Sequence, residues 1–115
     1  MQQQLEELNL QIKELEGALL NNVLELVNNR EYIDEIVIAH KVDIQAMQGN
    51  EGKKLYTNEL QRDAALAERL GRDSTHKTLG EATRKLDESI KRQQIEADFL
   101  KRKFRLLVAC MEARK

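Results

Sequence analysis

From Leu5 onward, Leu5, Ile12, Leu19, Leu26, Ile33, His40 and Met47 hold one position of a seven-residue repeat, and Leu8, Leu15, Asn22, Asn29, Ile36 and Asp43 hold the other. A repeat of that period marks an α-helix packed lengthwise on a partner, because a strand alternates every second residue. A matching seam closes the chain, with Leu79, Leu86, Gln93, Leu100 and Leu107 on one position and Thr83, Ile90, Ala97, Phe104 and Met111 on the other. Composition supports the period: there is no proline, only five glycines, and 34% of the 115 residues are charged. Such a chain is helical or coiled-coil-like, and a sandwich, a barrel or a compact core built on aromatics is excluded.

The seams are not uniform. Asn22 and Asn29 are polar entries of the kind that fix register at some cost in stability. Past Ile33 the apolar stripe drifts to include Val37 and Ile44. Between Leu19 and Val27 it widens, since Leu19, Leu20, Val23, Leu24, Leu26 and Val27 span roughly 160° of the helix. One partner helix does not cover that arc, so this stretch is expected to lie between two or more neighbours.

The clearest break is Gln48-Gly49-Asn50-Glu51-Gly52, where two glycines and an asparagine stop a helix. Thr57 or Asn58 then caps a second helix, and Gln61 stands where an Asn58 cap would place its capping-box partner. Tyr56, Leu60, Ala64, Ala67 and Leu70 give that helix a narrow face of mostly small residues, and Gly71 suits its C-terminal cap. Arg72 to Lys77 reads as a polar loop, and Thr78 with Glu81 forms the capping box of a third helix. The organisation predicted is a single elongated helical domain over 1–115: helix 3–48, turn 49–57, helix 58–70, loop 71–78 and helix 79–114. At about 1.5 Å per residue the first helix is as long as the other two together. The expected fold is therefore all-α, a long antiparallel helical hairpin with a short middle helix. Two helices in section bury little for their length, so the hairpin is expected to assemble as a dimeric or tetrameric helical bundle.

Charge is divided along the chain. Residues 1–48 carry nine anions against three cations, and residues 49–115 carry sixteen cations against eleven anions. Two oppositely charged halves favour packing on each other, within a chain or between chains. The alternative is that the basic half, densest at Lys101, Arg102, Lys103 and Arg105, faces a nucleic acid backbone. A pI near 6.2 and the lack of interleaved aromatics speak against it.

Gly52-Lys53-Lys54-Leu55-Tyr56-Thr57-Asn58 leads into Arg62-Asp63-Ala64-Ala65-Leu66, and Phe104-Arg105-Leu106-Leu107 closes the long basic helix. This G-K-x-x-Y-[ST]-N, R-x-A-A-L and F-R-x-L series resembles a pattern in small helical proteins of phages, prophages and cyanobacteria, over about residues 52–108. The resemblance implies a phage-type accessory protein that modulates host nuclease, defence or recombination machinery. The same residues also read as a turn, a helix cap and a small-residue contact face.

No catalytic or metal constellation stands out. His40 and His76 lie on different elements, neither with a second His or Cys at ligand spacing, and a partly buried, hydrogen-bonded role is expected for His40. Acid pairs such as Asp34-Glu35 and Asp87-Glu88 are ordinary features of charged helices. Gly49 and Gly52 precede Lys53-Lys54 without Walker spacing. The lone Cys110 is expected to pack as a small hydrophobe. The longest apolar run, Leu106 to Met111, is far short of the roughly twenty residues of a membrane span. The expectation is a cytoplasmic protein, not an enzyme, with no cofactor and no metal.

Three functions are consistent with these residues: a homo-oligomeric coiled-coil protein that binds another protein, an accessory nucleic-acid binder that uses Lys101, Arg102, Lys103 and Arg105, and a structural spacer. For the first, the candidate surface is the glycine turn and the start of the second helix, namely Lys53, Lys54, Tyr56, Asn58, Arg62 and Arg69. Exposed turns carry binding more often than helical rods do.

Overall fold

The computed structural model describes residues 2–47, 55–56 and 58–114, and among them the fold is all-α. Three helices follow in order: α1 (Gln2–Ala46), α2 (Glu59–Arg72) and α3 (Ser74–Ala113). Contacts divide the chain into two compact units. The first comprises Met1–Leu26 and Lys85–Lys115, and the second comprises Val27–Arg84.

In the first unit α1 and α3 pack antiparallel, as expected of a hairpin. Glu16 faces Lys101 at 2.8 Å and Asn22 faces Gln93 at 3.0 Å, so advancing along α1 means retreating along α3. The seam residues line the contact: Leu8, Leu26, Ile90 and Ala97 are buried, and Leu5, Ile12, Leu15, Leu19, Leu86, Leu100, Phe104 and Leu107 are half-buried. Gly17 does not interrupt α1. It sits in open space where a helix tolerates it at a cost of about 0.5–1 kcal/mol relative to alanine.

In the second unit α1 packs with α2 and the opening turns of α3. Ile44 and Ala65 are buried, and Ile33, Ile36, Val37, His40, Leu66, Leu70, Leu79 and Thr83 are half-buried around them. The drift of the α1 stripe to Val37 and Ile44 is thus the register that meets α2. Leu55 donates its amide to the Met47 carbonyl at 3.0 Å. The glycine turn itself, with Lys53, Lys54 and Thr57, lies outside the described residues.

Two local expectations are corrected. The loop at 71–78 is helix except for Asp73, so α2 continues through Gly71 to Arg72, and α3 begins at Ser74 instead of 79. Asp73 has extended backbone, φ −81° and ψ 105°. Its amide closes α2 on the Leu70 carbonyl, its own carbonyl accepts from Lys77, and its carboxylate accepts from the His76 amide at 3.0 Å. One residue thereby ends one helix and caps the next, which displaces both Gly71 and the Thr78–Glu81 box from the roles read for them. The second correction concerns α2, whose inward face is Arg62, Ala65, Leu66, Arg69, Leu70 and Asp73, while Leu60, Ala64 and Ala67 are exposed. Leu70 is the one residue the two faces share. The arginine stems supply apolar lining that a count of apolar residue types overlooks.

Two outcomes test this geometry. Gly71→Ala should raise stability by about 0.5–1 kcal/mol, because a helical glycine with room for a Cβ gains from alanine, whereas a left-handed cap would lose; thermal melting reads the sign. Replacing Asn22 and Gln93 together by Leu should raise the melting temperature, since a polar pair gives way to apolar burial worth about 1 kcal/mol or more, and should broaden the mass distribution seen by light scattering.

Candidate functional site

The second unit brings several polar side chains together where α1 meets α2 and the start of α3. His40 reaches from the α1 seam to Asp73, with Nε2 2.8 Å from Oδ2. Both side chains are about one-fifth exposed. With Asp73 as acceptor the ring donates through Nε2, and Nδ1 is buried with no hydrogen-bond partner. The His40 hydrogen bond, reinforced by the amide of His76, holds the Asp73 carboxyl below its ordinary value of 3.8. This pair ties the middle of α1 to the α2–α3 junction. The hydrogen-bonded, partly buried role read for His40 is what the structure shows, and the partner is the residue that the sequence reading left in a loop.

One turn along α1, Asp43 meets Arg69 of α2 at 3.4 Å, and the Arg69 guanidinium also lies 3.8 Å from the Met47 sulfur. Arg62 is half-buried in a groove with Lys41, Ile44, Gln45, Asp63 and Leu66. Asn58, one of the two caps the sequence offers, is the N-cap of α2, accepting from the Gln61 amide at 2.8 Å. Tyr56 is half-buried and shares a shallow groove with Ala65, Glu68, Arg69 and Arg72. Of the six residues proposed for partner binding, Lys53 and Lys54 thus fall outside the described residues. Asn58 serves as a cap, Arg62 and Arg69 lie against α1, and Tyr56 borders an open groove beside Arg69. The structure brings Tyr56 and Arg69 together and places Arg62 in a different groove.

The basic cluster belongs to the first unit. Lys101 is taken up by Glu16, which raises the lysine above its ordinary value of 10.5 through their hydrogen bond and their opposite charge. Arg102, Lys103 and Arg105 are exposed. Lys103 borders a groove with Leu8 and Leu107, and Arg105 borders one with Ile12 and Phe104. The four cations therefore do not share one surface: Lys101 crosses to α1, and the rest fan around α3. Cys110 is exposed instead of packed as a small hydrophobe, because its position faces away from the seam of Leu107 and Met111. Among the described residues no helix is long and apolar enough to cross a membrane.

Asp73 offers a direct pH test. A carboxyl with a lowered folded value adds stability above its unfolded value of about 4, and that contribution fades as pH falls through the folded value. Asp73→Asn should therefore melt below the wild type at pH 7, and the gap should close below about pH 4 as the wild-type carboxyl protonates. Asp73→Ala also removes the α3 cap and should keep a deficit at both pH values. Circular dichroism melts across pH check both.

No family model matches the chain, and neither the curated proteins nor the solved structures compared with it give a match.

Proposed function

We propose that the chain is a non-enzymatic helical protein that acts by binding protein surfaces and works as a homo-oligomer, a dimer or tetramer. A phage-type accessory role, modulating host nuclease, defence or recombination machinery, is the setting implied by the resemblance of residues 52–108.

The observation that carries this reading is an imbalance in apolar burial. Among the described residues the buried core is Leu8, Leu26, Ile44, Ala65, Ile90 and Ala97, two of them alanines, while twelve large hydrophobic residues are exposed. Scattered exposed apolar residues are normal, but these recur at helical spacing: Leu20 and Leu24 on α1, Ile38 and Val42 on α1, Ile95 and Phe99 on α3. Leu20 and Leu24 belong to the widened arc that one partner helix does not cover. Each such side chain stands to gain on the order of 1 kcal/mol when covered. Nucleic-acid binding through α3 is the second reading, but its cations fan around the helix with apolar side chains between them, an arrangement better matched by protein than by a phosphate backbone.

The reading predicts a melting temperature that rises by several degrees between about 5 and 500 µM protein, because association stabilises the folded state by mass action. Light scattering over the same range should give a mass above 13.3 kDa. A monomer mass with a concentration-independent, cooperative melt overturns it.

A further inference from the structure

Within the first unit, each helix has a second apolar face turned away from the seam. On α3 it consists of Ile95, Phe99 and Leu106, 72%, 62% and 67% exposed. Their spacing of four and seven residues puts them on one side of the helix, roughly 150° from the buried seam of Ala97, Leu100 and Phe104. Exposed Lys91, Arg92, Arg102 and Lys103 flank that stripe, and with exposed Glu96 and Asp98 beside them its border keeps a net positive charge. On α1 the outward apolar residues are Leu10, Leu20 and Leu24, all more than half exposed. Their neighbours are acidic: exposed Glu6, Glu7, Glu14 and Glu25, against a single lysine, Lys13, in the whole of residues 2–26.

We infer that the outward face of α3 binds the outward face of α1 from a second copy of this chain. The inference rests on the self-association proposed above and specifies how it is made. Charge selects the pairing. Joining α1 to α1 would set carboxylates against carboxylates, and joining α3 to α3 would set cations against cations. Crosswise pairing sets the net acidic face of α1 against the net basic face of α3 while it covers the two stripes. The same match already operates inside the chain, where Glu16 and Lys101 meet at 2.8 Å between α1 and α3. The partner that the α3 stripe requires is an acidic amphipathic helix, and α1 is one. Such an interface joins two different surfaces, so it grows head to tail into a ring or a longer array.

A heterologous interface has a signature that a symmetric one lacks. Phe99→Glu with Arg102→Glu blocks the α3 face, and Leu20→Lys with Leu24→Lys blocks the α1 face. All four positions are exposed, so helicity by circular dichroism should match the wild type; should the charged pairs unfold the chain, Phe99→Ala with Leu106→Ala and Leu20→Ala with Leu24→Ala replace them. Each blocked variant alone should lose self-association by at least about tenfold in apparent Kd. An equimolar mixture should sediment as a 1:1 heterodimer, because one variant keeps its α1 face and the other its α3 face. If only one variant loses association, or both lose it and mixing restores nothing, the pairing is like with like and the inference is overturned while self-association stands. The same holds if neither variant changes. A wild type that is monomeric throughout removes the self-association reading and this inference together. If such a monomer binds single-stranded DNA or anionic vesicles, and Phe99→Glu with Arg102→Glu abolishes that binding, the α3 face belongs to a polyanion.

Discussion

The apolar line along α1 is the constraint on which the rest depends. Its buried members are Leu8, Leu26 and Ile44, separated by eighteen residues each time. Eighteen residues make five turns of a helix with 3.6 residues per turn, so the three positions fall in phase with the helical period. A strict seven-residue repeat lags that helix by about 20° per heptad, and it must either supercoil or be corrected by a longer step. The chain corrects it, because Val37 and Ile44 stand eleven residues beyond Leu26 and Ile33. The first unit uses the heptad part of the line to hold α3. The second uses the displaced part to hold α2 and the opening of α3.

Most of this was legible in the sequence, and the reason is periodicity. Every seam position read on α1 and α3 is buried or half-buried among the described residues, apart from Asp43, which instead pairs with Arg69. Periodicity reports which side of a helix is buried. It is silent where burial depends on a single polar contact. The 71–78 segment was read as a loop because Gly71 and a polar run resemble a break. The deciding residue was Asp73, a strong N-cap whose carboxylate satisfies the His76 amide and also accepts His40. An aspartate immediately ahead of a helical run is a visible capping signal, but the partner 33 residues back is not. The inward face of α2 is hidden from a count of apolar types for a related reason, since half-buried Arg62 and Arg69 take part in it and a long arginine side chain can cover apolar surface.

The candidate residues divide along the same line. Types chosen for binding chemistry, namely arginine, asparagine and tyrosine near a turn, are also the types that cap and brace short helices, and composition does not separate the two uses. Asn58 and Arg69 turn out to hold α2 in place. Exposure is what separates the uses, and it becomes visible only once the seam partner of each helix is known. Ile95, Phe99 and Leu106 do not stand out as a group in the sequence, because the seam of α3 already accounts for its apolar period.

Polar contacts across the seams explain why so thin a core can still specify one alignment. Leucine seams alone tolerate sliding by a heptad with little loss, because each new register again places leucine near leucine. Asn22 opposite Gln93 in the first unit breaks that degeneracy, since a slip of seven residues would bring Asn22 to Leu86 or Leu100 and leave its amide without a partner. In the second unit His40 and Asp73 do the same with a charged acceptor, and they also fix where α2 ends. Attraction and register thus draw largely on different residues. The apolar line supplies attraction in many registers, the two polar pairs select one, and the outward stripes of α1 and α3 remain available once that selection is made.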